Sequence, residues 1–520
     1  MLKHSITLDG RASISLSWLM HQRRTNQRPV LASRFAGFLG ADPNKMRETD
    51  PTAVLVEAAN ADALINALGS APLPPDHQPQ QLVKLHDRLV SIHAGEMVLN
   101  VLLNHSGLKH VQTLKRKVLH LEKASQDLGL RPLGGARAVV EDGTGVLIGI
   151  VDSGFDLSHP MFYDGAGNLK VEHLLDQTTG NPQEFSPAQL RQQWSEGACP
   201  GADENGHGTH VATIAGGSPH RGFEGIAPGA RFLLVKTNSV DTDKAVAWIF
   251  RKAEGNPCVV NMSLGHHWGA HDGTEAEERY HALLAQDPGK IICISAGNER
   301  EDNLHLGKWF NQREEQAIEF AVFRPEDPTE APGAAMTIWY GGTDQFSLTL
   351  FAPDGSEYVA PILGQLEEYE TQRVVIRIGR GLHPWNNLVQ TEIILSFSKN
   401  AHPVQDLRGW KLKIRCDQAV VGRLDAWFAN SGQGVFLSHP LVEQARTISL
   451  SATGEGCIAV AGISPKLSGS RMAAPRQGRE MCLAAQVALA AWDPRGTAAA
   501  NLTSRRLANK SPQPSATNPS

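Results

Sequence analysis

Three short segments of this chain place a polar side chain at one end of an apolar or small-residue run. Residues 148–151 lead into Asp152, and residues 291–294 lead through a small-residue turn into Asn298. Between them, His207 stands between two glycines, just before the small-residue run 212–217. Apolar runs of this kind are typical of buried parallel strands, and open α/β sheets bind ligands where such strands end. The pattern therefore predicts an α/β fold with Asp152, His207 and Asn298 at one edge of its sheet.

The three residue types suit nucleophilic hydrolysis. A carboxylate orients a histidine base, the histidine takes a hydroxyl proton, and an amide donates to an oxyanion. In their order and local strings, Asp152, His207 and Asn298 resemble the subtilisin-like serine peptidases, the subtilases. The resemblance implies that these residues are catalytic, that the substrate is a polypeptide, and that the reaction needs no cofactor and no metal.

Two further segments resemble the strands that line the primary specificity pocket of that family. Small residues there allow a peptide to add as an extra strand. The resemblance implies a substrate-binding role for both segments, which consist of Ser263, Leu264, Gly265, Ser295, Ala296 and Gly297.

Alternating strand and helix patterns predict a doubly wound parallel sheet over residues 135–300. Residues 301–440 instead read as short strands separated by Pro, Gly and Asp turns, so we expect an inserted all-β sandwich there. The α/β pattern resumes in 441–500, which we assign to the same catalytic domain with a divergent or incomplete end. Residues 501–520 are polar and poor in apolar residues, which predicts disorder.

The segment 51–125 contains two strand-then-helix patterns and a final strand over 111–121, and it directly precedes the α/β pattern. This layout resembles the propeptide domain of subtilases, which would block the cleft. An unrelated small α+β domain is the alternative. Residues 1–50 are basic and weakly patterned, and we expect an irregular arm.

The nucleophile is where the chain departs from the family. The family places its serine in Gly-Thr-Ser-x-Ala-x-Pro, and the similar string here, residues 469–475, has Arg471 at the serine position. Ser470 is a weak candidate, because it falls at the threonine position. This string also follows the strand pattern that ends near Val460 sooner than the nucleophile string does in the family. Two hypotheses stay open: a serine endopeptidase, or a subtilase-fold pseudoprotease or truncated copy that binds peptides without cleaving them.

Composition limits the partners. The formal net charge of −5 gives no reason to expect nucleic acid or an anionic membrane as a partner. The first residues lack the apolar core of a signal peptide, so we expect a cytoplasmic protein, or one exported without a recognisable signal. His266, His267 and His271 cluster closely enough for a metal site to be conceivable, but we expect a solvated loop. The oligomeric state is not predicted.

Overall fold

The computed structural model describes most of the chain between residues 52 and 462. The described residues are 2–7, 52–75, 78–113, 118–119, 122–123, 141–221, 223–324, 332–402, 406–430, 432–462 and 480–481. The predicted disorder of residues 501–520 lies outside them. The first strand, β1 (Leu2–Thr7), falls in the arm that we expected to be irregular, so that expectation is wrong for these six residues. Its backbone is held by the sheet edge described below.

A small α+β unit follows. Its elements are β2 (Thr52–Ala58), α1 (Ala61–Ser70), β3 (Gln80–His86), β4 (Leu89–Ala94), α2 (Glu96–Asn104) and β5 (Leu108–Thr113). The strands form one antiparallel sheet in the order β3-β4-β2-β5. Successive strand residues point to opposite faces, so Val54 and Val56 pack against the helices, whereas Leu55 faces the rest of the protein. This region is called the N-terminal unit below.

The sequence predicted this unit incompletely. It missed β3, whose run QQLVKLH alternates weakly. It also extended the last strand to residue 121, whereas β5 ends at Thr113 and is followed by two separate two-residue strands, β6 (Val118–Leu119) and β7 (Glu122–Lys123).

The central α/β region has a seven-stranded sheet. In chain order, the elements of this region are β8 (Leu147–Asp152), β9 (Val171–Asp176), β10 (Gln183–Phe185), α3 (Pro187–Ser195), α4 (His207–Gly216), β11 (Arg231–Lys236), α5 (Thr242–Lys252), β12 (Cys258–Met262), β13 (Leu264–Gly265), α6 (Ala276–Leu284) and β14 (Lys290–Ser295). A strand near residue 460 completes the sheet. The sheet order is β10-β9-β11-β8-β12-β14 followed by that last strand, and every pairing is parallel except β9 with β10. The strands β9 and β10 and helix α3 were not predicted.

Helices cover both faces of this sheet. Ile148 and Ile150 of β8 pack against α4, whereas Val151 packs against α5. The strands are therefore buried on both sides, which explains why they read as continuous apolar runs rather than as alternating patterns.

Two antiparallel sheets then interrupt the α/β region; we call residues 305–436 the insert. It contains β15 (His305–Trp309), β16 (Glu315–Val322), β17 (Gly333–Gly341), β18 (Gln345–Phe351), β19 (Glu357–Val359), β20 (Gln365–Glu370), β21 (Val374–Leu382), β22 (Leu388–Phe397), β23 (Trp410–Gln418), β24 (Arg423–Phe428) and β25 (Gly434–Phe436). One sheet has the order β1-β20-β21-β22-β17-β24-β15 and the other β19-β18-β23-β16-β25. A shared hydrophobic core joins them, with Ile338 and Ile376 from the first sheet and Leu348 and Ile414 from the second.

The chain returns to the parallel sheet through β26 (Ile458–Val460), which pairs with β14. The last described strand, β27 (Glu480–Met481), pairs with β7 in parallel. Within the described part of the chain, no helix combines the length and apolar character that crossing a membrane requires.

Candidate active site at the carboxyl edge of the parallel sheet

The first component of the site is the end of β8. Its last residue, Asp152, is completely buried, and its Oδ1 accepts a hydrogen bond from the backbone N–H of Ser153 at 2.7 Å. Helix α4 begins at His207, and the Nδ1 of that imidazole lies 2.6 Å from Asp152 Oδ1. The His207 side chain keeps 11% of its surface exposed, whereas that of Asp152 keeps none. The carboxylate favours one tautomer of an imidazole held in this way. A general base requires such a fixed tautomer.

Glycines permit this close approach. Gly206, the residue before α4, has φ 85°, a left-handed conformation that favours glycine. A Cβ at Gly208 would stand 2.3 Å from the carbonyl oxygen of Gly154. The glycines on both sides of His207 are therefore required by the turn and by packing against the segment after β8.

A second carboxylate, which the sequence reading missed, holds the loop that presents His207. Asp203 Oδ1 accepts hydrogen bonds from the Ser153 hydroxyl at 2.8 Å and from Gly206 N–H at 2.9 Å. Its Oδ2 accepts from the backbone and hydroxyl of Thr209 at 2.9 and 2.7 Å. Burial opposes ionisation, but these hydrogen bonds outweigh it and lower the pKa of the Asp203 carboxyl below its usual 3.8. The Asp-x-x-Gly spacing before His207 was the available signal, since it is typical of a turn that caps a helix.

The third component lies two strands away from Asp152. Strand β14 ends at Ser295, Gly297 has φ 95°, and Asn298 is exposed where the next turn begins. Because β8, β12 and β14 are adjacent and parallel, their carboxyl ends meet at one edge, with roughly 10 Å between β8 and β14. Asn298 therefore lies at the same edge as the Asp152–His207 pair. Its backbone N–H donates to Glu299 Oε2 at 2.7 Å.

The predicted substrate segments flank this edge. Ser263 is buried directly after β12, and Ser295 and Ala296 are buried at the end of β14. Leu264 and Gly265 form β13, which pairs antiparallel with β6 through Leu264 with Leu119 and Gly265 with Val118. An extended segment of the same chain thus lies against one of the two predicted substrate segments.

Ser470 and Arg471, from the string that is similar to the family's nucleophile motif, lie outside the described residues. Within the described ranges there is also no group of three or more His, Cys, Asp or Glu side chains arranged to hold a metal ion.

The solvated loop predicted for His266, His267 and His271 is wrong. His266 and His267 are 3% and 2% exposed, and they contact Glu277 Oε2 at 3.2 Å and Glu299 Oε2 at 3.5 Å. The His271 ring stacks on Trp427 of the insert, with 4.2 Å between ring centroids. Burial lowers the pKa of His271 well below its usual 6.5. The insert covers this loop, and sequence periodicity carries no signal for such a long-range contact.

Comparison with known proteins finds a similarity to one family over part of the chain. Residues 143–334 match the model of the subtilase family. An intracellular serine protease of Paenibacillus polymyxa is 29% identical over 209 residues, which cover 37% of this chain and 57% of that protein. Subtilisin-like protease 6 of Trichophyton soudanense is 28% identical over 219 residues, covering 38% of this chain and 48% of that protein. The chain thus spans about half the length of these curated relatives.

Among solved structures, the CspB protease of Clostridium perfringens superposes with a TM-score of 0.54 at 23% identity. The match covers 62% of this chain and 69% of that one, and at this identity it shows the fold alone. The fold is therefore that of a subtilisin-like α/β protein. Residues 143–334 are thus similar in sequence to the subtilase family, and the curated relatives they resemble are serine proteases.

Proposed function

We propose that this chain is a subtilisin-like serine endopeptidase in which Asp152 and His207 form the proton-transfer pair. The 2.6 Å contact between His207 Nδ1 and Asp152 Oδ1 at the carboxyl end of β8 carries the proposal. In the proposed reaction, His207 Nε2 removes the proton from a serine hydroxyl as that oxygen attacks the peptide carbonyl. Asp152 stabilises the resulting imidazolium, which then gives its proton to the leaving amine.

Asn298 is the proposed side-chain donor to the oxyanion. It lies at the same sheet edge, on a turn where its side chain is exposed. A donor amide there stabilises charge that exists only in the transition state, and losing one such donor typically costs about 10²–10³ in rate.

The substrate would bind as an added strand between residues 263–265 and 295–297. The pairing of β6 with β13 supports this, because it shows that this edge accepts an extended backbone. Polypeptide is the substrate class that fits such an edge, since backbone groups rather than particular side chains make the hydrogen bonds.

We further propose that the N-terminal unit is a propeptide-like domain, within boundaries of about 51–125, and that the insert is a β-sandwich accessory domain within 301–440. The sheet of the N-terminal unit packs Leu55 and Leu89 on Ala276 and Tyr280 of α6. Its His93 Nε2 lies 3.4 Å from Asp241 Oδ1, beside the start of α5. These contacts hold the unit next to the edge that β6 occupies, where it would compete with a substrate.

The second candidate function is peptide binding without cleavage. Arg471, at the expected serine position of the string 469–475, favours it, because a guanidinium cannot form an acyl-enzyme. Ser470 is the serine that the first candidate would use.

Labelling with a fluorophosphonate probe, which modifies activated serines, separates the two. We expect the purified chain to be labelled on one serine, with His207→Ala reducing the labelling rate by at least about 10³-fold. Ser470→Ala would remove the label if Ser470 is the nucleophile. A folded protein that binds peptide but takes no label would overturn the endopeptidase proposal in favour of the second candidate. Asp164→Ala is the control and should be labelled at the unaltered rate, because Asp164 accepts hydrogen bonds from Ala166 and Asn168 in a loop outside the site.

A further inference from the structure

The N-terminal unit meets the rest of the protein at a junction of three regions. Glu57, the sixth residue of β2, is nearly buried, and both of its carboxylate oxygens accept hydrogen bonds from Arg279 of α6, each at 2.7 Å. The same guanidinium lies over the indole ring of Trp385, 3.7 Å from its centroid. Trp385 belongs to the insert, in residues 383–387, which connect β21 to β22. One side chain of the α/β region is therefore held between the N-terminal unit and the insert.

Other contacts fix this connection in place. Asn386 Nδ2 donates to Asp272 Oδ2 at 2.9 Å and to Thr274 Oγ1 at 3.0 Å, just before α6. The His383 ring meets the His110 ring of β5 edge-on, with 6.1 Å between centroids. The connection thus contacts both the N-terminal unit and the region on which that unit packs.

We propose that the insert forms part of the docking site for the N-terminal unit, with Trp385 positioning Arg279 to bind Glu57. A bidentate carboxylate–guanidinium pair requires a fixed guanidinium plane, and stacking on an indole restricts that plane at little electrostatic cost. The indole face also attracts the cation directly. The ligand of this site is an α+β unit of the same chain that presents a buried carboxylate beside an apolar sheet face, formed here by Leu55 and Leu89.

The consequence concerns retention after cleavage. A unit held by an apolar face, a bidentate ion pair and a contact from a second domain leaves slowly once its covalent connection is cut. The inference rests on the proposed propeptide-like role of the unit. On this view the insert, as well as the α/β region, determines how long the N-terminal unit stays bound.

The test uses the full chain carrying one specific protease site between residues 124 and 140. After cutting, release of the N-terminal fragment is followed by size-exclusion chromatography and by its dissociation rate from immobilised protein. We expect Trp385→Leu to speed release roughly five- to thirtyfold, the range expected from losing a partly desolvated cation–π contact. Trp309→Leu is the matched control, because Trp309 is an exposed tryptophan of the insert that also lies near an arginine, Arg423. It should release the fragment at the unaltered rate.

A double-mutant cycle tests whether Trp385 acts through Arg279 rather than through general stability. Glu57→Gln alone should speed release roughly tenfold to a hundredfold. In the Glu57→Gln background, Trp385→Leu should add less than about threefold, because the pair that it orients is already lost. Release of Trp385→Leu at the unaltered rate, or two effects that simply multiply, would overturn the inference. These measurements need no substrate, so a chain that fails to label or cleave would refute the proposed activity without touching this result.

Discussion

Two histidine segments of this protein use the imidazole ring in different ways. His207 begins α4 and keeps part of its surface exposed beside the fully buried Asp152. His266 and His267 also contact carboxylates, Glu277 and Glu299, but in both pairs each side chain is at least nine-tenths buried. Both segments thus contain histidine–carboxylate pairs, and they differ in whether the imidazole can be reached from outside.

This difference in accessibility distinguishes a histidine that can exchange a proton with a bound group from histidines that only stabilise the fold. A base must exchange its proton with a group that arrives and leaves, so its ring must remain accessible while its partner is fixed. In the 266–271 segment, packing as well as hydrogen bonds fixes the rings: His271 stacks on Trp427 of the insert, with 4.2 Å between ring centroids. The first segment lies at the carboxyl edge of the parallel sheet, where we propose that catalysis occurs, and the second joins the α/β region to the insert.

The largest expected effect comes from removing one carboxylate charge from each kind of pair. Asp152→Asn should lower kcat/KM by about 10⁴-fold, because an amide neither holds the imidazole in the required tautomer nor supplies its counter-charge. Glu277→Gln should keep kcat/KM within a few-fold but reduce the free energy of unfolding by about 1–3 kcal/mol, because it disturbs hydrogen bonds to His266 and Ser451. Peptide hydrolysis and denaturant unfolding of both variants measure this. A comparable loss of rate in Glu277→Gln would erase the distinction between the segments.

The second effect is on the pH dependence of stability. Burial raises the pKa of Glu278 to about 8, although the Thr453 hydroxyl and Glu275 N–H donate to its carboxylate. Between about pH 4.5 and 8, the native state therefore binds a proton that the unfolded state has released. The free energy of unfolding contributed by this group is largest below pH 4.5 and falls by several kcal/mol as the pH rises to about 8.

We expect Glu278→Gln to abolish most of that fall and to be more stable than the unaltered protein at pH 8, as measured by urea unfolding at several pH values. The exposed Glu319→Gln on β16 is the control and should leave the pH profile unchanged. If the free energy of unfolding of Glu278→Gln fell with pH as steeply as that of the unaltered protein, the buried Glu278 carboxyl would not be the origin of the pH dependence.

The smallest expected effect concerns the loop before His207. Asp203→Ala should cost about 1–2 kcal/mol of stability, since it removes hydrogen bonds at the start of α4. It should also lower kcat/KM by roughly tenfold, because it disturbs the position of His207. Asp164→Ala is the control, because Asp164 likewise holds its own loop through Ala166 and Asn168 but lies outside the site. Equal losses of rate in the two variants would show that Asp203 does not position the base.

Much of the α/β region was predictable because its strands are buried on both faces. The strands β8, β11, β12 and β14 read as apolar runs, and the helices α5 and α6 read as helical patterns between them. The elements that were missed have weaker local patterns: β10 has three residues, and the polar side chains of α3 are mostly exposed. Strand β1 was missed because this six-residue part of the arm acquires a strand conformation only through its partner β20.

The residues of the candidate site also differ in how strongly the local sequence indicated them. Asp152 and His207 could be named from their positions at the ends of strong local patterns, and their glycine neighbours indicate the close approach that the structure contains. Asp203 carried a local signal that was overlooked. The environment of His271 could not be inferred, because its ring stacks on Trp427, which comes from a strand of the insert much later in the chain.

The sequence by itself determined which residues end the buried strands, because apolar periodicity and glycine turns are local properties of the chain. Only the tertiary structure decided which histidines became buried and what held the N-terminal unit. The stacking of the His271 ring depends on Trp427, and the position of Arg279 depends on both Glu57 and Trp385. Such contacts join residues more than a hundred positions apart, and their chemistry exists only once the α/β region, the insert and the N-terminal unit have packed together.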